Sequence, residues 1–127
     1  MKGEIRRLGD GDLDIMQVIW GTEGAVHSSY IQERLKAKRE WPLSAVLTAL
    51  NRLVEKGFLS CEKEGRSNSY RPLITREAYQ EAESRSFLSR LYGNSFTGLV
   101  AALYNGKAIG REEIEDLRKF LDELEGK

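Results

Sequence analysis

Trp41 to Leu59 reads "WPLSAVLTALNRLVEKGFL", and the fold is decided by how this stretch is read. Leu43, Val46, Leu50, Leu53 and Val54 recur at helical spacing, so they mark the face turned to a core. Pro42 suits the first turn, where its missing N–H would have had no partner. Gly57 supplies a left-handed stop. The other face carries Ser44, Leu47, Thr48, Asn51 and Arg52, a mixed set unlike plain solvated surface.

Upstream, Leu13, Ile15, Met16, Ile19 and Trp20 make a short, broadly apolar helix, with Asp10 or Asp12 as its cap and Gly21 as its end. A second short helix starts near His27–Ser29 and turns Ile31 and Leu35 inward, with Val26 as a staple before it. Downstream of Gly57 the period shortens to near two. "FLSCEKEGRSNSYRPL" reads as strand, turn and strand, with its tip at Gly65–Asn68 and Pro72 closing the second strand. Thr75 caps a further helix from Arg76 to about Tyr92, which Gly93 ends. Two more helices follow, from about Ser95 to Asn105 and from Arg111 to Leu124.

The order predicts a mainly α fold with a small β-hairpin. Residues 1–74 have the layout of a winged helix-turn-helix, and residues 75–127 form a helical dimerisation region. In such a layout the third helix is the one that enters a DNA major groove.

The chain has 127 residues and 40% apolar content, ordinary for a soluble globular protein. It contains no long apolar run of membrane-span length, and its start, "MKGEIRRLGDGDL", lacks a signal-peptide core. Cys61, the single cysteine, has no internal disulfide partner, which points to the cytoplasm. Net charge is zero, but its distribution is uneven. Residues 1–33 hold three basic and six acidic residues, 34–71 nine and four, and 72–127 eight and ten. A basic centre between acidic ends is what local phosphate contact would need.

Ser44, Ala45, Leu47 and Thr48 therefore form the candidate base-reading set. Ser44 and Thr48 donate and accept, and Leu47 or the Thr48 methyl suits a thymine methyl. The alternatives are a capping role for Ser44 and simple exposure for Leu47. Asn51 and Arg52, a turn further on, suit the DNA backbone. The hairpin supplies Lys63, Arg66, Ser67, Asn68 and Tyr70, with Arg66 placed to enter a narrow minor groove. Phe96, Leu99, Val100 and Leu103 stripe one late helix, and Ile114, Leu117, Leu121 and Leu124 the last; these are the candidate dimerisation residues. Catalytic and metal motifs are absent: His27 is the only histidine, and there is no H-E-x-x-H or phosphate-binding glycine loop. No enzyme, metal site or cofactor is expected.

These motifs taken in order carry a family resemblance. The first helix ending at Trp20, "VLTALNRLVEKGFL", "KEGRSNSYRPL", "FTGLVAALY" and "EEIEDLRKFL" resemble the penicillinase-repressor family of bacterial transcription factors, the BlaI/MecI type. The resemblance implies a homodimeric repressor that binds inverted-repeat operator DNA, often with TACA/TGTA cores, upstream of resistance genes. It implies that Ser44 and Thr48 read bases, that Arg52 lies near the backbone, and that Lys63, Arg66 and Tyr70 belong to the wing. It also implies release by a protease that a membrane sensor triggers. The cut falls at an Asn-Phe bond in the best-known members, and Ala102-Leu103 stands at the matching pair here. The copper-sensing branch ends in a cysteine cluster, and this chain has no cysteine after Cys61. At Leu47 some members carry a basic residue.

Two rival readings stay open on sequence. One is a ligand-responsive regulator with an effector pocket between the two domains, lined by Tyr79, Tyr92 and Tyr104. The other is a winged helix that binds protein.

Overall fold

The computed structural model describes residues 5–126. Its elements are α1 (Asp10–Trp20), β1 (Val26–His27), α2 (Ser28–Leu35), α3 (Leu43–Glu55), β2 (Leu59–Glu64), β3 (Ser67–Pro72), α4 (Arg76–Tyr92), α5 (Phe96–Asn105) and α6 (Arg111–Leu124). In α3 the 3.6-residue spacing buries Val46, Ala49, Leu50 and Leu53. Leu43 departs from its expected core position and is 40% exposed; it is the first residue of the helix, directly after the N-cap Pro42. Val54 is half-buried. Gly57 holds φ at +86°, as the left-handed stop requires.

Ile15, Met16 and Ile19 of α1 and Ile31 and Leu35 of α2 close over α3, and Phe58, Leu59 and Tyr70 complete the core. The helix-cap expectation for α1 is corrected: Gly9 is its N-cap, and Asp10 and Asp12 lie in the first turn, where acidic groups meet the positive end of the helix dipole. Thr75 and Ser95 do cap their helices, accepting from the N–H groups of Ala78 and Gly98.

The hairpin pairs β2 with β3 antiparallel, from Leu59 opposite Pro72 to Glu64 opposite Ser67. Its tip is narrower than expected. Gly65, at φ +62°, and Arg66 make the turn, while Ser67 and Asn68 already belong to the ladder. The sheet also has a third strand that the sequence does not announce. β1 pairs with β3, Val26 opposite Tyr70 and His27 opposite Ser69, so β3 is central. Two residues are too few to show a period, and β1 exists only because β3 offers it an edge.

The expected domain boundary at 74/75 also moves. The chain divides into two compact units between Glu83 and Ser84, within α4. The cause is Tyr79. It is buried, its ring lies 5.8 Å from Trp20 and 6.0 Å from Phe58, and its hydroxyl accepts the Leu8 N–H at 2.8 Å. The first turns of α4 are therefore part of the winged unit. In the second unit no described residue of α5 or α6 is buried.

α1 meets the approach to α3 at close range. A Cβ on Gly11 would lie 2.5 Å from Cη2 of Trp41 and 2.9 Å from its Cζ2. Alanine ordinarily stabilises a helix interior by up to about 1 kcal/mol over glycine. Here the ring must give way, at a cost of about 1–3 kcal/mol for overpacking. Gly11→Ala should therefore lower stability, read as a lower urea midpoint at unchanged m-value. A raised midpoint would show that the Trp41 ring moves aside freely.

Candidate nucleic-acid interface

With the core face of α3 committed, Ser44, Thr48 and Asn51 are exposed on its other side. Ala45 and Leu47 are half-buried; Leu47 packs partly against the core, so only part of it faces outward. Spacing of three and four residues sets Ser44, Thr48 and Asn51 in a row along the helix. On the hairpin, Lys63, Arg66 and Ser67 are exposed and Asn68 is half-buried. His27 braces the hairpin: its Nδ1 lies 3.2 Å from the Asn68 carbonyl oxygen and its Nε2 3.7 Å from Glu64 Oε1.

Tyr70 is a correction. It was expected on the wing surface, yet it is 1% exposed and packs in the core. As a residue of the central strand its side chain faces the helices, and the alternation of the ladder cannot bring it out. Its hydroxyl lies near the side chains of Asn68 and Cys61 but meets no partner at hydrogen-bonding geometry among the described residues. Burial pushes the phenol's pKa up.

Arg52 has a role that its spacing does not reveal. Its Nη2 donates to Asp12 Oδ1 at 2.7 Å and its Nε to Asp12 Oδ2 at 3.1 Å, a bidentate fork. The Asp12 side chain is 8% exposed and that of Arg52 44%. The hydrogen bonds and charge of Asp12 raise the arginine pKa further, so the guanidinium stays charged. A second tie lies beside it. Arg39 donates Nε to Asp14 Oδ2 at 3.0 Å, its Nη2 lies 3.0 Å from the same oxygen, and its guanidinium sits over the Trp41 ring. Lys38 Nζ is 3.7 Å from Asp14 Oδ1. Gln32 Nε2 donates to the Trp41 carbonyl.

The uneven charge therefore has two uses. Of the nine basic residues in 34–71, Lys38, Arg39 and Arg52 pair with aspartates of α1, and Lys36 with Glu33 of α2. Arg34, Lys56, Lys63, Arg66 and Arg71 are left without an ion pair among the described residues. The signal for this pairing was present, since an acidic segment adjoins a basic one. Charge counts alone cannot separate attraction within the chain from attraction to phosphate.

Neither a metal-type cluster of His, Cys, Asp or Glu nor a helix long and apolar enough to cross a membrane occurs among the described residues. What the winged unit presents is a polar helix face beside a slim basic hairpin, the arrangement of a winged-helix nucleic-acid binder.

Residues 8–123 match the model of the penicillinase repressor family, and the chain belongs to that family. It is 32% identical over 120 residues to the penicillinase repressor of Bacillus licheniformis, covering 94% of this chain and 93% of that one. Among solved structures, it is similar to the DNA-binding domain of the repressor BlaI, with a TM-score of 0.53 at 32% identity over 62% of this chain and 94% of that chain. It is likewise similar to monomeric Bacillus licheniformis BlaI in complex with the blaP half-operator, with a TM-score of 0.50 at 32% identity over 59% of this chain and 90% of that chain.

The placement of Tyr70 is open to a direct check. A buried hydroxyl without a partner costs about 1–3 kcal/mol. Tyr70→Phe should therefore leave stability unchanged or raise it. The raised folded pKa means that the stability tied to this phenol is complete below its ordinary value near 10.0 and declines as pH rises past it. The phenylalanine variant should lose that part of the alkaline decline, as thermal unfolding from neutral to alkaline pH would show. A large loss of stability at neutral pH would mean that the hydroxyl has a partner.

Proposed function

We propose that this protein is a DNA-binding transcriptional repressor that acts as a homodimer on an inverted-repeat operator and controls a resistance or stress gene. The observation that carries the reading is the exposed Ser44–Thr48–Asn51 row of α3 beside the Lys63–Arg66 hairpin, in a chain of the penicillinase repressor family. Ser44 and Thr48 read base edges; Ala45 and Leu47 offer apolar contact to thymine methyls. Asn51, Arg52, Lys63, Arg66, Ser67 and Asn68 meet the backbone. The complex of a relative with a half-operator supports one winged unit per half-site. Such a repressor works where the DNA is, in the cytoplasm, and needs neither catalysis nor a cofactor.

The second unit supports pairing of two copies. Phe96, Leu103, Leu121 and Leu124 are exposed, Leu99, Val100, Ile114 and Leu117 only half-buried. Phe120, which the heptad-like seam does not include, is 53% exposed beside them. So much uncovered apolar surface is cheapest to bury against an identical helix pair. Of the rival readings, the effector pocket loses Tyr79, which is spent on Leu8 and the core. Ala102-Leu103 in α5 stands in place of the Asn-Phe pair at which the best-known members are cut, so we assign no proteolytic release to that pair.

Base reading and backbone contact predict different losses. Thr48→Ala should narrow the preference for operator over scrambled DNA by about 1–3 kcal/mol, the worth of a good base contact, while scrambled binding holds. Arg66→Ala should weaken both and flatten the salt dependence. Anisotropy titrations on the two duplexes separate these outcomes. A uniform loss for Thr48→Ala would make it a phosphate contact instead.

The assembly is tested with Leu117→Asp combined with Leu121→Asp. Charges forced into a dry interface cost several kcal/mol, roughly 3–5 when unpaired. The double variant should sediment as a monomer with its winged unit folded, lose affinity for the full operator, and keep its half-site affinity. A double variant that remains dimeric would move the interface to the Phe96–Tyr104 stripe.

A further inference from the structure

Taking even one partner of an ion pair out of water has a desolvation cost that offsets much of the attraction, so such a pair does little for stability alone. Yet α3 carries Arg52 on its exposed side and locks it to a carboxylate forty residues earlier. Asp12 is nearly enclosed, sits in the first turn of α1, and spends both oxygens on one guanidinium. Arg52 lies next to Asn51 and one turn beyond Thr48, with nearly half of its side chain open to solvent. One edge of the fork, Nε and Nη2, faces the carboxylate. The planar guanidinium then fixes where its opposite edge points.

We propose that Asp12 is a positioning residue for DNA recognition. Its carboxylate holds Arg52 in one orientation, so that the outer edge of the guanidinium meets a phosphate at a fixed place while Ser44 and Thr48 lie in register with the bases. The proposal rests on the reading of α3 as the DNA-facing helix. Freezing the arginine before binding removes most of the ordering cost that a loose side chain would bear on contact. A lysine cannot do this, because a point charge makes no fork and leaves no defined second edge. The fork also ties α1 to the last turn of α3, while Arg39–Asp14 and the Gly11–Trp41 contact hold the approach to its first turn. The recognition helix is thus gripped from both ends by the start of α1. Phosphate contacts fix register and carry no sequence information of their own. Unlike the contact of a mobile wing side chain, one held rigidly at a fixed place forms fully only when Ser44 and Thr48 also meet their bases, and so it adds to the preference for operator.

The test compares the full chain with Asp12→Asn, Arg52→Met and their combination. Each is titrated with a duplex from upstream of the chain's own gene and with a scrambled duplex of the same composition, and thermal unfolding is followed in parallel. Asp12→Asn removes a negative charge, which alone tightens binding to both duplexes, so the readout is the ratio of the two affinities. Asp12→Asn should cut that ratio roughly tenfold, as should Arg52→Met, a loss near the lower end of what one good base contact contributes to discrimination. Arg52→Met should also lower the unfolding temperature, because Asp12 is left buried and unpaired; adding Asp12→Asn should restore the temperature but not the ratio. A purely structural pair would recover both together. The inference is overturned if Asp12→Asn keeps the parental ratio, or if it lowers the ratio further when methionine already replaces Arg52. If the parent chain prefers neither duplex and its binding ignores salt, the DNA reading itself fails, and the positioning role with it.

Discussion

The grip of α1 on α3 is the constraint on which the functional face depends. An amphipathic helix laid on a small core is free to slide or roll by part of a turn at little cost, since apolar contact is non-directional. Directional bonds remove that freedom. The Asp12–Arg52 fork sets the far end of α3, and the Trp41 ring seated on Gly11 sets the approach. Tyr79 does a comparable job from the other side of the core, where its hydroxyl ties the Leu8 backbone to α4. The exposed row of Ser44, Thr48 and Asn51 then has a defined direction rather than an average one.

The same bonds change the meaning of the charge pattern. The central segment is basic in composition, but its strongest ion pairs point inward, to aspartates of α1. The cations that remain are few and spread over α2, the end of α3 and the hairpin. A weakly charged surface of this kind binds DNA modestly through phosphates and leaves more of the discrimination to base contacts and to pairing of two copies.

Much of the fold is legible in the sequence, and the reasons are local. Helix periods, the Gly57 stop, the Thr75 cap and the two strands of the hairpin are encoded within a few residues of where they act. What is not legible comes from partners far apart in the chain. β1 depends on an edge more than forty residues later, the boundary within α4 depends on Tyr79 reaching Leu8, and the inward turn of Tyr70 depends on β3 being central. The candidate site divides the same way. Exposure of Ser44, Thr48, Lys63 and Arg66 follows from periodicity, whereas the engagement of Arg52 by Asp12 does not. A basic residue on a polar face reads as a surface charge until its partner is known.

The salt dependence of half-site binding reports how many of the central segment's cations are left for phosphate. Log affinity should fall linearly with log salt, with a slope of about −0.9 for each phosphate neutralised. If all nine basic residues of the central segment met phosphate, the slope per protomer would be about −8. With Lys36, Lys38 and Arg39 held by carboxylates of α1 and α2, and Arg52 meeting one phosphate with its outer edge, six cations remain for phosphate and the slope should be definite but no steeper than about −5.5. A slope near zero would contradict phosphate binding by this surface, and a slope near about −8 would contradict the inward pairing that holds α3 in place.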